Sequence, residues 1–330
     1  MADVTATSLS FLKVYGGEVI NAYNAQVAFA PLLTKRVITS GSSASFPTFT
    51  REQSKLHAPG DDVFGSVAND AHYASNATSG EKVITLEKAI IAPQFVDDLD
   101  QAMADYNIHS ELAKQAGAAM AFTHDAMLIS ALSRGGTGLA EIAGGTANAD
   151  VNGAQIAVLI EEAAQKMDEA FVPHTERYCA LPPRLFYALM GEDNVVGSDF
   201  NSTGDRGKTK SLWYMGFEII NSQVLGQIAG VKGTGETSSG VGGTEDPGGA
   251  FYLGQAAGAG RNVDYGSMDS EKLSGLCFHK SSAATLLLRG VSTESNYIPN
   301  RLGHLLNAKQ AIGCDILRPD SVIQLKTNDA

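Results

Sequence analysis

Ser10-Phe11-Leu12-Lys13 matches S-x-x-K, the spacing that in some enzymes joins a serine nucleophile to a lysine. Its companion motifs are absent from the chain, so the match is coincidental. Asp97, Asp98 and Asp100 could pair carboxylates for acid–base work. No nucleophile lies near them, and acids crowded at one point before an apolar periodic stretch belong to the start of a helix, where they face the positive end of its dipole. His124 lies one turn from Met120 and Met127, a setting for a packing histidine rather than a base or ligand. Cys179, Cys277 and Cys314 are far apart in apolar contexts, which predicts reduced, buried thiols and neither a disulfide framework nor a zinc site. H-E-x-x-H, G-x-S-x-G and C-x-x-C do not occur, and the glycines of residues 135–150 fit neither a P-loop nor a dinucleotide fingerprint. The residues therefore predict no catalytic site, no metal and no cofactor.

The elements that carry these residues are more informative. The chain has 330 residues, 44% of them hydrophobic, enough for a large core and a soft expectation of about two domains. Its net charge is −12, distributed as +2 over residues 1–60, −8 over 61–130 and −6 over the remainder. This lacks the clustered basic face of a nucleic-acid binder. Residues 11–23 (FLKVYGGEVINAY) place Phe11, Leu12, Val14, Tyr15, Val19 and Ile20 at helical spacing, interrupted by Gly16-Gly17. Asp3, Lys13 and Glu18 argue against a secretory signal, and no run of about 18 uncharged apolar residues exists for a membrane span. A soluble chain whose arm is covered by other parts of the fold or by a neighbouring copy is the expectation.

Residues 44–51 and 81–92 predict two strands, joined by a polar excursion (52–80) with no apolar period of its own. After Pro93 the period changes to helical, with Phe95, Leu99, Met103 and Tyr106 on one face. Ser110 is placed to cap a long helix from Glu111 to about Arg134, rich in Ala and Met for close packing. A loop at 135–150 and a helix from 152 or 153 to about 171 follow, then a strand at RYCALPP and a short helix at RLFYALMG. Residues 212–225 predict a buried strand region holding the only tryptophan. Twelve glycines between Gly226 and Gly260 predict a loop or insertion, and strands resume at 275–290 and near the C-terminus.

Several pieces, in this order and spacing, resemble the major capsid proteins of T7-like short-tailed bacteriophages (Autographiviridae). They are FLKVYGGEV, SFPTF, APGDD, GEKVITL, DDLDQAMADYNIHSE, YMGFEI, FHKSSA and LRPDSV. The resemblance spans nearly the whole chain and implies an α+β, HK97-like fold. It divides the chain into an N-arm (1–38), an E-loop (39–92), a P-domain (93–150 with 280–312) holding a spine helix, and an A-domain (151–279 with 313–330). The function it implies is structural: hexamers and pentamers of this chain forming an icosahedral shell around double-stranded DNA, without specific binding to it. Partners implied are further copies of the chain, a scaffolding protein, a portal and, in some relatives, a cement protein. The location implied is the virion capsid, assembled in the bacterial cytoplasm. Residues expected at inter-subunit contacts are Phe11, Leu12, Val14, Tyr15, Val19 and Ile20 in the arm, and Phe46, Phe49, Arg51, Lys55, Asp61 and Asp62 in the E-loop. A Lys–Asn cross-link between Lys55 and an asparagine such as Asn300 is not expected of T7-like shells. Residues 290–306 hold one full base, Arg301, and so depart from the more strongly charged pattern of related sequences. A hydrolase or a monomeric ligand-binding module are the competing classes, both lacking a motif.

Overall fold

The computed structural model describes residues 4–49, 56, 59, 79–86, 89–103, 108–135, 137–142, 153–191, 211–228 and 273–327. The chain begins with a long helix, α1 (Val4–Gln26), which passes through a 3-10 turn (Ala30–Leu32) into β1 (Thr34–Val37). The hairpin strands β2 (Ser43–Phe49) and β3 (Ser79–Thr85) follow, then β4 (Ala89–Asp97), α2 (Asp98–Met103) and α3 (Ile108–Gly135). Next come β5 (Thr137–Ile142), α4 (Gly153–Glu169), β6 (Arg177–Leu181) and α5 (Pro183–Met190). β7 (Ser211–Tyr214), β8 (Phe217–Asn221) and α6 (Gln223–Ile228) precede four more strands. These are β9 (Leu273–His279), β10 (Ala283–Ile298), β11 (Gly303–Ile316) and β12 (Val322–Thr327).

They form a four-stranded sheet in the order β1-β10-β11-β4, a six-stranded sheet in the order β5-β12-β9-β6-β8-β7, and the separate β2–β3 ribbon. The helix α3 joins the two larger sheets. Its first half (Ala113, Ala116, Met120, Ala121) packs with Ile90, Val96, Leu306, Ala308 and Ile312 of the four-stranded sheet and with α1. Its second half (Ala126, Leu128, Ile129, Leu132) packs with Ala180, Leu276, Phe278 and Val322 of the six-stranded sheet and with Val224 and Leu225 of α6. A helix covered on several sides has no use for one polar face, which is why its sequence is Ala- and Met-rich throughout. On the far side of the six-stranded sheet, Ile156, Leu159, Ile160, Ala163 and Met167 of α4 and Leu185, Phe186 and Leu189 of α5 cover Cys179, Leu181, Phe217, Ile219, Cys277 and Leu325.

Local chemistry sets several boundaries. Pro183 opens α5 at its first position, where a missing N–H costs no helical bond, and Gly191 follows its end. Between α4 and β6, Arg177 is buried and reaches back along the turn, donating to Asp168 Oδ1 at 2.7 Å and from Nε to the Pro173 carbonyl at 2.8 Å. That clamp holds a turn in which Phe171 and Glu176 both have positive φ, at 54° and 58°. Glu176 pairs in turn with Lys280.

Six sequence expectations are corrected. Gly16-Gly17 does not break α1, because Gly16 is where the helix comes against β10: an added Cβ would stand 2.7 Å from Thr293 Oγ1. The single strand expected over 81–92 is two, with β3 pairing to β2 and β4 to β11. Pro93 therefore lies inside a strand and opens no helix; β4 is a sheet edge, where a residue without an N–H is tolerated. Helix begins only at Asp98, with Asp97 Oδ1 accepting the Leu99 N–H at 2.8 Å, and Ser110 lies within α3 rather than capping it. Part of the expected loop at 135–150 is β5, which runs parallel to β12 in the six-stranded sheet. Residues 212–225 are a buried strand region only in part: Phe217 and Ile219 of β8 are buried and 223–225 belong to α6, while β7 and β8 form an edge hairpin turning at Met215-Gly216, both with positive φ, and Trp213 is 64% exposed. The glycine-rich residues 229–260 lie outside the described residues.

Candidate functional site

The residues expected to matter fall on two features, the N-terminal helix and the β2–β3 ribbon. In α1, Tyr15 and Val19 are 1% and 0% exposed, and with Tyr23 they pack on Ala113, Ala116 and Met120 of α3. The helices meet backbone to backbone at Gly117, where an added Cβ would lie 2.5 Å from the Val19 carbonyl oxygen and 2.8 Å from Ala22 Cβ. Only glycine fits so close an approach. Tyr15 and Val19 are thus covered within the chain itself. Val14 and Ile20 are 60% and 41% exposed, and Ile20 flanks the cavity between α1 and β10 with Leu287 and Val291. Phe11 and Leu12 lie in α1, and their side chains are outside the described residues.

Phe46 is also turned inward. With Ala44 and Ile84 it packs on Ala284 and Leu286 of β10, and the Arg36 guanidinium lies over its ring at 5.5 Å. Arg36 also donates to the Ser45 carbonyl, and Lys82 of β3 pairs with Asp315 of β11 at 3.1 Å. The root of the ribbon is therefore fastened to its own chain. Phe49 ends β2 opposite Ser79, its side chain outside the described residues; Arg51, Lys55, Asp61 and Asp62 are outside them altogether.

The candidate chemical groups are structural. His124 is buried with Nδ1 at 2.6 Å from the Tyr23 hydroxyl and its ring stacked on that tyrosine, and burial holds its imidazole down at about 4. Beside it, burial pushes the Asp125 carboxyl up to about 6, although the carboxylate accepts the Ala28 and Phe29 N–H groups at 2.8 and 3.0 Å. Cys179 and Cys277 are buried opposite each other on β6 and β9, with Sγ atoms 3.2 Å apart. Burial raises the Cys277 thiol well above its ordinary value and Cys314 to about 12, the reverse of what activates a sulfur nucleophile. Asp98 accepts the Tyr297 hydroxyl at 3.0 Å. Among the described residues no group of three or more His, Cys, Asp or Glu could hold a metal, and no helix is long and apolar enough to cross a membrane.

Sequence reasoning missed Gly117, Asp125 and Gln310. Asp125 carries a readable signal, a carboxylate within the apolar stretch MAFTHDAMLI, but its partners lie 96 and 97 residues away.

A long helix joining a four-stranded and a six-stranded sheet, with an N-terminal helix on one side and a two-stranded ribbon leaving the body, is the HK97-like architecture of phage capsid proteins. The capsid structure of the cyanophage P-SCSP1u is similar at a TM-score of 0.68 and 24% identity, covering 91% of this chain and 87% of that one. The mature capsid of bacteriophage PhiM1 is similar at 0.62 and 14% identity, covering 92% and 88%. In sequence, the major capsid protein of Escherichia phage T7 is 26% identical over 339 residues, 94% of this chain and 90% of that protein. Residues 45–326 match the family described as Gp10A-like, major capsid protein, and the chain belongs to that family. It is a structural protein of the capsid shell and not an enzyme.

Proposed function

We propose that copies of this chain form hexamers and pentamers that close into an icosahedral shell around double-stranded DNA, assembled in the bacterial cytoplasm. The family match over residues 45–326 is the observation that carries this reading. The P-domain would be the four-stranded sheet with the first half of α3, and the A-domain the six-stranded sheet with α4, α5 and α6. The N-arm would be α1, and the E-loop the ribbon of β2 and β3. Val14 and Ile20, the exposed apolar residues of α1, would meet a neighbouring copy. So would the β2–β3 ribbon, by pairing with a neighbour's sheet edge.

Such contacts are individually weak, since apolar burial gives roughly 25 cal/mol per Å² before the costs of association. Repetition around a closed lattice makes them collectively strong. The net charge of −12 suits a wall that encloses DNA without gripping it, because phosphate affinity rises with each neutralising Lys or Arg. A scaffolding protein and a portal would guide closure, and a cement protein would bind from outside where one is used.

Negative-stain microscopy and light scattering of the purified chain, with and without its scaffolding protein, test the proposal. Closed particles of uniform size are expected. A small monodisperse species at high concentration in both conditions would refute it.

A further inference from the structure

Two sets of polar contacts hold α1 and the turn after it on the body, and they differ in how fully they are satisfied. At the base, both Asp125 carboxylate oxygens are used, one by the Ala28 N–H and one by the Phe29 N–H, and the Phe29 ring stacks on Phe278 at 5.9 Å between centroids. Further back in the helix, the Tyr23 hydroxyl lies 2.6 Å from His124 Nδ1 and accepts Gln310 Nε2–H at 3.1 Å. Gln310 Oε1 is buried without a hydrogen-bond partner, and His124 Nε2 is a long 3.5 Å from Thr285 Oγ1. Alongside this looser set lies a cavity of about 350 Å³ lined by Ile20, Tyr23, Val27, His124, Leu287 and Gln310. The close backbone approach at Gly117 is where α1 seats on α3.

We propose that α1 works as a pivoting arm: residues 14–23 lift from α3 and return as a unit while residues 28 and 29 stay pinned to Asp125, and proton uptake by His124 favours the lifted position. His124 is faced by Tyr23 from α1, Lys35 from β1, Thr285 from β10, Gln310 and Cys314 from β11, and stands next to Asp125 on α3. Tyr23 is raised from an already high value and Cys314 stands at about 12, so His124 and Asp125 are the groups of this set that titrate between pH 5 and 7. The seated helix holds His124 near 4 through burial and Lys35, and a lifted helix returns it toward its ordinary 6.5. Lowering the pH from 7 to 5 then shifts the equilibrium toward the lifted state by about twentyfold. Release of the pin as well would free Asp125 from about 6 toward 3.8, a linkage of opposite sign that cuts the shift to about twofold. The two motions therefore leave different pH signatures.

Hydrogen exchange on the purified full-length chain, expressed as protection relative to the unstructured peptide at each pH, reads both parts. An undocked helix carrying Gly16-Gly17 does not keep its hydrogen bonds in water, so lifting exposes its amides. Residues 15–23 are expected to lose protection by about twentyfold between pH 7 and pH 5, while the Ala28 and Phe29 amides keep theirs. His124→Gln should abolish that pH dependence. Tyr23→Phe, which deletes one hydroxyl without opening a cavity, should lower protection of residues 15–23 at both pH values and spare Ala28 and Phe29. Loss of protection at Ala28 and Phe29 in step with the helix, in the natural chain or in Y23F, overturns the pivot. A pH effect of twofold or less on residues 15–23, with Ala28 and Phe29 still protected, overturns the role of His124.

Discussion

The two sheets of this protein are finished to different degrees. Every residue of β9, at the middle of the six-stranded sheet, is buried, with α4 and α5 on one side and α3 and α6 on the other. In the four-stranded sheet, β10 is buried only from Ala283 to Thr285 and Leu286, then emerges through Arg289 and Gly290 to a half-exposed stretch ending at Ile298. On β4, Ile90 and Val96 face α3 while Ile91 and Phe95 are exposed at 66% and 40%. The six-stranded sheet is closed at its centre and keeps exposed apolar groups such as Trp213 at its margin; the four-stranded sheet leaves apolar side chains such as Ile91 uncovered on one face. That contrast fits a subunit whose stability and whose assembly are carried by different parts of the molecule.

The hardest test of the contrast lies in the finished core. Phe278→Ala removes a ring packed between Phe29 and Tyr178 and should cost about 3–5 kcal/mol, read as a fall in the urea midpoint of the unassembled chain. Equal tolerance there and at Ile91 would erase the distinction.

At the boundary between regions, His124 and Asp125 should give opposing pH dependences of global unfolding. The depressed His124 contributes stability that is complete above about 6.5 and lost as the pH falls toward 4. The raised Asp125 works the other way: its contribution is complete below about 3.8 and lost as the pH rises through 6. The natural chain should therefore change little from this pair between pH 6 and 4. Asp125→Asn should make acid destabilising, and His124→Gln should make it stabilising, each by on the order of 2 kcal/mol over that window. Denaturant midpoints at pH 6, 5 and 4 measure it, and two parallel slopes would show that the groups do not titrate as described.

On the unfinished side the signature is reversed. Val14→Asp, on the exposed face of α1, should change unfolding of the isolated chain by less than about 0.5 kcal/mol while abolishing closed particles in electron micrographs. Normal shells from this variant would remove the outer face of the arm from the interface. The smallest effect is expected of Lys82→Ala. Its half-exposed pair with Asp315 is worth no more than about 1 kcal/mol, so thermal unfolding should barely move.

Much of the finished region could be read from local pattern. The α4 periodicity, the RYCAL strand and the proline that opens α5 each depend on residues within a few positions of one another. The unfinished region was harder to read because its patterns are ambiguous within one chain. Phe95, Leu99 and Met103 have helical spacing, yet Phe95 belongs to a strand because Leu305 is available to pair with it. Residues 290–306, read chiefly for their charge, are the outer half of a long hairpin closing at Pro299–Arg301.

Composition and spacing alone determined that this chain has the apolar surface for a large core, carries no recognised catalytic motif, and has an arm too apolar to be left wholly in water. Only the tertiary structure decided which body covers that arm and the root of the ribbon: Tyr15 and Val19 go to α3, and Phe46 goes to β10. The reason is that hydrophobic burial has no direction. A sequence shows that a side chain needs cover, while the partner is set by contacts such as Val19 with Gly117, separated by about a hundred residues, which no local period encodes.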